Sequence, residues 1–133
     1  MTIHAPASPG LGQIGQIAIT VKDLGAAVAF YREVLGLPFL FEAPPHLAFF
    51  DCGGVRLMLT LPEKPEFDHP ASIIYFKVPN IQETTAVLKS RGVSFDSEPH
   101  LIARMPSHDL WMAFLRDPEQ NVIGVMSEAE RRR

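Results

Sequence analysis

The sequence predicts an α+β fold made of two consecutive β-α-β-β-β modules, and two observations support this prediction. Residues 17–37, "IAITVKDLGAAVAFYREVLGL", have the pattern of a strand, a capped helix and a closing glycine. Residues 73–93, "IIYFKVPNIQETTAVLKSRGV", repeat that pattern at an offset of about 57 residues, as expected for an internal duplication. Each copy is followed by strand-like segments, which complete the two modules.

In the first module, apolar and small side chains alternate over residues 17–21, which predicts a half-buried strand. Asp23 can accept hydrogen bonds from the free amides of a following helix. Apolar residues then recur at the helical spacing at Leu24, Val28, Tyr31 and Leu35. Gly36 favours the left-handed conformation that ends many helices, and Pro38 prevents continuation.

The second module repeats each of these signals. Residues 74–78 alternate in the same way, Asn80 occupies the position of Asp23, and Glu83 completes a capping box. Ile81, Thr85 and Leu88 correspond to Leu24, Val28 and Tyr31. Gly92 corresponds to Gly36 after a deletion of one residue.

The remaining segments predict β-hairpins. In "LAFFDCGGVRLMLT" the Gly-Gly pair predicts a two-residue turn that places three pairs opposite one another: Cys52 and Val55, Asp51 and Arg56, and Phe49 and Met58. In the second module "HLIARM" and "LWMAFL" flank the turn "PSHD", and "VIGVM" forms the last strand. This interpretation places His108 and Asp109 at a turn, and Trp111 and Met112 in the core or a dimer interface.

These elements define one domain over residues 14–127, with modules at about 14–62 and 71–127. Residues 1–13 contain neither a basic start nor an apolar core, so we expect a loose leader rather than a signal peptide. Residues 128–133 are predicted to be a solvated tail.

Composition limits the classes of partner. Hydrophobic residues make up 47% of the 133 residues, yet no apolar run is long enough to cross a membrane. The formal charge of −3 provides no basic surface for nucleic acid. Cys52 is the single cysteine, which excludes an internal disulfide and suits the cytoplasm. We therefore expect a small-molecule or protein partner, and among these a small-molecule ligand, with neither a nucleic-acid nor a membrane partner.

Two motifs resemble the vicinal oxygen chelate superfamily, which contains glyoxalase I, methylmalonyl-CoA epimerase, extradiol dioxygenases and the fosfomycin and bleomycin resistance proteins. "VKDLGAAVAFYREVLGL" resembles the family's V-x-D-x-x-x-x-x-x-F-Y-x-x-x-L-G-L, and "RDPEQNVIGVM" resembles D-P-x-G-N-x-x-E-L. The resemblance covers residues 14–127. It implies that the two modules curl one sheet into a half-open eight-stranded barrel around a groove, often in a homodimer.

The resemblance also implies where a metal would bind. The family's four ligand positions correspond here to Gln16, Met58, Ile73 and Gly124. A divalent ion needs several oxygen or nitrogen donors, and of these four only Gln16 has one, so we expect no metal cofactor. The alternative of a relocated metal site would use His46, His69, His100 or His108.

Strand alternation assigns further side chains to the groove. Gln16 and Tyr75 are expected to lie on the face away from the helices, with a small apolar surface around them. The candidate ligand-binding residues are Gln16, Phe49, Arg56, Met58, Ile73, Tyr75, Lys77, Arg104 and Gly124. The two cations Arg56 and Lys77, with no unpaired acid assigned to this face, favour an anionic ligand. For Arg56 we favour a structural pairing with Asp51, and for Lys77 a solvated position; His100, Ile102 and Arg104 are expected to share one face.

Two functions remain open at this stage. The first is a metal-free binding protein similar to the bleomycin resistance proteins, and the second is a lyase or isomerase similar to glyoxalase I or methylmalonyl-CoA epimerase. Proton transfer next to a carbonyl requires a base with a suitable pKa, and the assigned groove residues include none. The sequence therefore favours binding.

Overall fold

The computed structural model describes residues 11–43, 45–62 and 64–130. Most of the predicted leader, 1–13, and the last three residues of the predicted tail lie outside these ranges. The elements in chain order are β1 (Gln16–Thr20), α1 (Leu24–Ala29, continuing as a π-helical turn, Phe30–Val34), β2 (Phe39–Ala43), β3 (Leu47–Cys52), β4 (Val55–Thr60), a 3₁₀ turn (Pro65–Phe67), β5 (Ile74–Lys77), α2 (Ile81–Ser90), β6 (Phe95–Arg104), β7 (His108–Arg116) and β8 (Val122–Glu130).

The duplicated topology is confirmed. One sheet has the strand order β1-β4-β3-β2 and the other has the order β5-β8-β7-β6. In each sheet the first strand is parallel to the last strand of its module, and the other neighbours are antiparallel. The α+β class is therefore correct, but the eight strands form two separate four-stranded sheets and do not close into a barrel.

The signals at the ends of the helices are confirmed as well. Asp23 accepts a hydrogen bond from the Ala26 amide, and Asn80 accepts one from the Glu83 amide. Gly36 and Gly92, which follow the two helices, have φ angles of 74° and 94°, a region that favours glycine because it has no Cβ.

The π-helical turn explains the one-residue difference between the two helices. The Leu35 amide donates to the Phe30 carbonyl, which is the i to i+5 bond of a π-helix. The extra residue of α1 is thus accommodated inside the helix. The cap Asp23 and the closing Gly36 therefore keep the places that correspond to Asn80 and Gly92.

The core lies between the helices and the helix-facing sides of both sheets. Residues from both modules are buried there, including Tyr31, Phe50, Leu59, Ile81 and Leu115. Because these side chains occupy one face of each strand, the alternate side chains lie on the opposite face. That second face, called here the groove face, includes the predicted site.

The hydrogen bond from the Tyr31 hydroxyl to Asp117 Oδ2, 2.7 Å long, connects the two modules. Asp117 is buried, and it also accepts hydrogen bonds from the amides of Glu119 and Asn121. Burial and the adjacent Asp117 carboxylate raise the pKa of Tyr31, so the phenol stays neutral. The Asp23 amide donates to Glu119 Oε2 at 2.9 Å, a second bond between the modules.

Two predicted boundaries change. β8 continues to Glu130, so residues 128–130 belong to a strand rather than to a tail. β7 begins at His108, so His108 and Asp109 are strand residues rather than turn residues. The turn is shorter than predicted because the Met105 amide already bonds to the His108 carbonyl, at 2.8 Å.

Candidate functional site

The groove face of the first module has Gln16 and Met58 side by side. Ala18 lies directly opposite Met58 in the β1–β4 ladder, and Met58 lies opposite Phe49 in the β3–β4 ladder. Gln16 Nε2 lies 3.6 Å from Met58 Sδ, a weak hydrogen bond because a thioether sulfur is a poor acceptor. The hairpin register that the Gly-Gly turn predicted is confirmed at all three pairs.

The groove face of the second module is occupied by aromatic rings. Tyr75 lies opposite Gly124, and Gly124 lies opposite Phe114. The rings of Tyr75 and Phe114 make an edge-to-face contact at 5.8 Å between their centres. A Cβ atom placed on Gly124 would lie only 2.5 Å from Cδ2 of Tyr75. The Tyr75 ring therefore occupies the space in which a side chain at position 124 would project. Ile73, just before β5, is 45% exposed.

Arg56 contacts an aromatic ring rather than the acid predicted for it. Its guanidinium carbon lies 5.5 Å from the centre of the Phe49 ring, a cation–π distance. Asp51 is opposite Arg56 in the ladder, but its Oδ1 accepts the Gly54 amide at 3.1 Å. Among the ion pairs of the described residues, Arg56–Asp51 does not occur.

Lys77 has an acidic partner that the sequence interpretation missed. Its Nζ lies 2.7 Å from Oε1 of Glu128, and the other oxygen of Glu128 lies 3.5 Å from Nε2 of His108. The hydrogen bond from Lys77 lowers the pKa of Glu128. Glu128 continues the alternation of Gly124 and Met126 along β8. Extending that strand by two residues would have assigned it to the groove face.

Arg104 is the candidate that the structure separates from the others. His100 lies opposite Met112, whereas Arg104 lies opposite Asp109, three residues away on β7. Positions three apart on a strand face opposite ways, so His100 and Arg104 do not share a face as predicted. The cause is a register irregularity between Leu101 and Ala103, which shifts the alternation by one residue.

Three cavities are lined in part by β1, through Ile17, Ala18 or Thr20. The inter-module cavity, about 510 Å³, lies between β1, β4 and β5 and is lined by Ile17, Leu37, Pro38, Asp51, Cys52, Gly53, Val55, Arg56, Leu57, Ile74, Tyr75, Phe76 and Lys77. The first-module cavity, about 410 Å³, is lined by Ala18, Thr20, Leu47, Met58, Thr60, Leu61, Pro62 and His69. The linker cavity, about 330 Å³, is lined by Thr20, Lys22, Asp68, His69, Pro70, Glu119 and Asn121.

Cys52 lines the inter-module cavity as a weakly ionised thiol. Burial, and secondarily the charge of Asp51, raise the pKa of Cys52 above that of a free cysteine. Since the thiolate is the nucleophilic form, this cysteine is a poor nucleophile near neutral pH.

The four histidines within the described ranges lie on different segments. His69 is in the segment between the modules, His100 is on β6, His108 is on β7, and His46 precedes β3. Within the described ranges, no three His, Cys, Asp or Glu side chains are grouped so that they could hold a metal ion. No helix formed by the described residues has the length and apolar content that a bilayer crossing requires.

Comparison with known proteins identifies the family. The model of the "Glyoxalase/Bleomycin resistance protein/Dioxygenase superfamily" matches residues 13–125, most of the chain. The protein belongs to this superfamily. The match includes both modules, so the duplicated β-α-β-β-β unit is the family domain.

Three individual proteins also match most of this chain. A Bacillus subtilis (strain 168) protein named "Uncharacterized protein YraH" is 28% identical over 123 residues, which cover 83% of this chain and 94% of that protein. The solved structure of lactoylglutathione lyase from Agrobacterium tumefaciens is 25% identical, with a TM-score of 0.70 over 90% of this chain and 96% of that one. A superfamily member from Sphaerobacter thermophilus shares the fold at 21% identity, with a TM-score of 0.73 over 89% of this chain and 98% of that one.

Proposed function

We propose that this superfamily member binds a small anionic molecule in the inter-module cavity. The observation that supports this most directly is that three predicted site residues, Arg56, Tyr75 and Lys77, line that cavity together. Its volume of about 510 Å³ lies in the usual range for small-ligand pockets, in which apolar walls supply affinity and a few polar groups orient the ligand. Most of the remaining lining residues are apolar.

The charge of the lining supports an anion. Two basic side chains, Arg56 and Lys77, face one carboxylate, that of Asp51. Lys77 already forms an ion pair with Glu128. Arg56 is therefore the main basic group available to a carboxylate or phosphate of the ligand. A guanidinium can form two parallel hydrogen bonds to such a group.

We further propose that binding requires no divalent ion at the family's usual position. Of the four residues there, Gln16 provides a neutral amide, and Met58, Ile73 and Gly124 provide no oxygen or nitrogen side-chain donor. Ions such as zinc or magnesium require several such donors. The Tyr75 ring also leaves no space for a longer side chain at position 124.

A binding experiment tests both statements. Hexanoate should raise the melting temperature and bind measurably by calorimetry, and EDTA should leave its affinity unchanged. Arg56→Gln should weaken binding by about tenfold or more, equivalent to about 1.4 kcal/mol, because the charged partner of the carboxylate is lost. Arg32→Gln is the matched control, since Arg32 also stacks on a phenylalanine, Phe39, but does not line the cavity.

Either of two results would refute this function. One is equal binding of hexanoate by the Arg56→Gln variant and the wild-type protein. The other is a tightly held stoichiometric metal whose removal abolishes binding.

A second candidate function, a lyase or isomerase, is favoured by the His108–Glu128 pair. The structure places both on the groove face, with the imidazole Nε2 3.5 Å from a carboxylate oxygen. A carboxylate beside an imidazole orients the ring, and an oriented imidazole is the side chain most often used as a general base. The 25% identity to lactoylglutathione lyase is consistent with such chemistry.

Deuterium exchange distinguishes the two functions. In D₂O, an enzyme of this class should exchange the carbonyl-adjacent proton of a glutathione hemithioacetal or a 2-methyl acyl-thioester, as observed by proton NMR. His108→Gln should abolish that exchange, and His46→Gln, a change outside the pair, should not. If the wild-type protein catalyses no exchange, the lyase or isomerase function is refuted and only the binding function remains.

The proposal also includes a cytoplasmic homodimer. Exposed apolar side chains on two edge strands, Leu40 and Phe41 on β2 and Leu101 and Ile102 on β6, support self-association. Light scattering after size exclusion measures the mass, for which we expect twice that of the 14.8 kDa chain.

A further inference from the structure

The first-module cavity and the linker cavity share two of their lining residues. Both include Thr20 and His69, and neither includes Arg56, Tyr75 or Lys77. They are thus separate from the inter-module cavity of the proposed function. The two shared residues place the cavities side by side, and the remaining lining of each is chemically different.

The first-module end is an apolar chamber. Ala18, Leu47, Met58, Leu61 and Pro62 form most of its walls. The chamber exists because the residue on β1 is alanine. At the corresponding position of β5, the tyrosine ring of Tyr75 covers the sheet face. A short alkyl or aromatic group would bury its surface here, with a gain of about 25 cal/mol per Å² of apolar area.

The linker end is rich in hydrogen-bond acceptors. His69 Nδ1 lies 3.1 Å from the Pro70 carbonyl, and a carbonyl can only accept. In the tautomer that makes this hydrogen bond, Nδ1 carries the proton and Nε2 is the acceptor. Asn121 uses its Nδ2 to donate to Asp117, so the Asn121 oxygen remains for a ligand.

The charges at this end favour a cation. The carboxylates of Asp68 and Glu119 line it against a single ammonium group, that of Lys22. Glu119 is held in place because its Oε2 accepts the Asp23 amide at 2.9 Å. An alkylammonium group has three N–H donors and no acceptor, which complements this arrangement.

We infer that these two cavities form one site for a primary amine bearing a short apolar group. The apolar group lies in the chamber beside Ala18 and Met58, and the ammonium lies between Asp68, His69 and Glu119. This site is independent of the proposed anion site, and it takes a ligand of opposite charge.

A titration with three ligands of equal length tests the inference. In the Arg56→Gln variant, in which hexanoate binding at the proposed anion site is weakened, hexylamine at pH 7.5 should bind more tightly than hexanol and hexanoate. In the wild-type protein it should shift the His69 ring proton signals in NMR spectra. Ala18→Tyr should fill the chamber as Tyr75 fills the second module, and should weaken hexylamine binding by about tenfold or more, since tenfold is about 1.4 kcal/mol. Ala86→Tyr, an exposed alanine on α2, is the matched control.

Asp68→Asn, which leaves the chamber intact, tests the polar end. It should weaken hexylamine several-fold without changing hexanol, whereas Glu66→Gln, in the same segment but outside the lining, should change neither. Arg56→Gln should leave hexylamine binding unaltered, which separates this site from the proposed function. Equal binding of hexylamine and hexanol, or equal hexylamine binding by wild type and both Ala18→Tyr and Asp68→Asn, would overturn the inference.

Discussion

The two modules share a backbone but exchange large and small side chains at the centre of the groove face. Across the first sheet the row is Ala18, Met58, Phe49, and across the second it is Tyr75, Gly124, Phe114. Of the first two residues in each row, the larger is Met58 on β4, the last strand of the first module, and Tyr75 on β5, the first strand of the second module. The exchange leaves a cavity of about 410 Å³ in the first module, while an aromatic ring covers the equivalent surface of the second.

This difference shows how two copies of one fold come to have different surfaces. Strand alternation fixes which positions face the groove, and the side chain at each position decides whether that position is open or filled. Corresponding positions of the two helices also have different side chains. Tyr31 of the first module reaches across to Asp117 of the second, and its counterpart Leu88 is an apolar core residue.

Tyr31→Phe should have the largest effect on stability. It removes one hydrogen bond from the buried Asp117 carboxylate, at a cost of about 1.5–3 kcal/mol in the free energy of unfolding by urea. Because the pKa of Tyr31 is raised in the folded protein, its stabilisation is fully present below the ordinary tyrosine pKa of about 10 and declines above it. The difference in free energy of unfolding between wild type and variant should therefore become smaller at alkaline pH. A difference that becomes larger there would contradict the role assigned to Tyr31.

Gly124→Ala tests the exchange of volumes directly. Its new Cβ would overlap the Tyr75 ring, and since that ring is 43% exposed it can turn away at the expense of its contact with Phe114. We expect a loss of about 1–2 kcal/mol, in the lower part of the range for overpacking. In a Tyr75→Ala background the same change should cost less.

Gly25→Ala provides the control for that experiment. Gly25 is in α1 with no close neighbour except Asp23, and the change should stabilise the protein by about 0.5–1 kcal/mol because alanine favours the helix. Equal effects of the two Gly→Ala changes would show that Tyr75 does not restrict position 124.

Gln120→Gly should have an effect as small as that of Gly25→Ala, and it too should be stabilising. Gln120 has a φ of 69°, while the first-module hairpin uses Gly53 and Gly54 at its positive-φ positions. A side chain in this region costs about 1–2 kcal/mol, partly offset by the greater chain entropy of glycine, so we expect a net gain of about 0.5–1 kcal/mol. Thermal unfolding measures the change. Gln120→Ala retains a Cβ and should give no such gain.

Much of the fold could be predicted from the sequence because its signals are local. The caps Asp23 and Asn80, the closing Gly36 and Gly92, and the Gly-Gly hairpin register all depend on residues within a few positions of one another. The register irregularity in β6 could not be predicted, since it depends on pairing with β7. It is the reason that Arg104 leaves the face assigned to it.

The candidate site was predicted only in part. Strand alternation assigned Arg56, Tyr75 and Lys77 to the groove face, and all three line a cavity that also includes Ile17, Leu57, Ile74 and Phe76 from the alternate positions of β1, β4 and β5. The partner of Lys77 was missed because Glu128 was assigned to a tail. His69 was named only as an alternative metal ligand, because the segment between the modules has no periodicity from which its position could be derived.

The sequence by itself determined the duplicated β-α-β-β-β architecture and most of the side chains on the groove face, because these follow from short-range periodicity and capping. Its two motifs indicated the superfamily by resemblance. Only the tertiary structure decided which of those side chains meet. Arg56 stacks on Phe49, Lys77 pairs with Glu128, and the ring of Tyr75 covers Gly124. Such contacts depend on how separate strands pair and how closely their side chains pack, which is fixed only when distant parts of the chain come together.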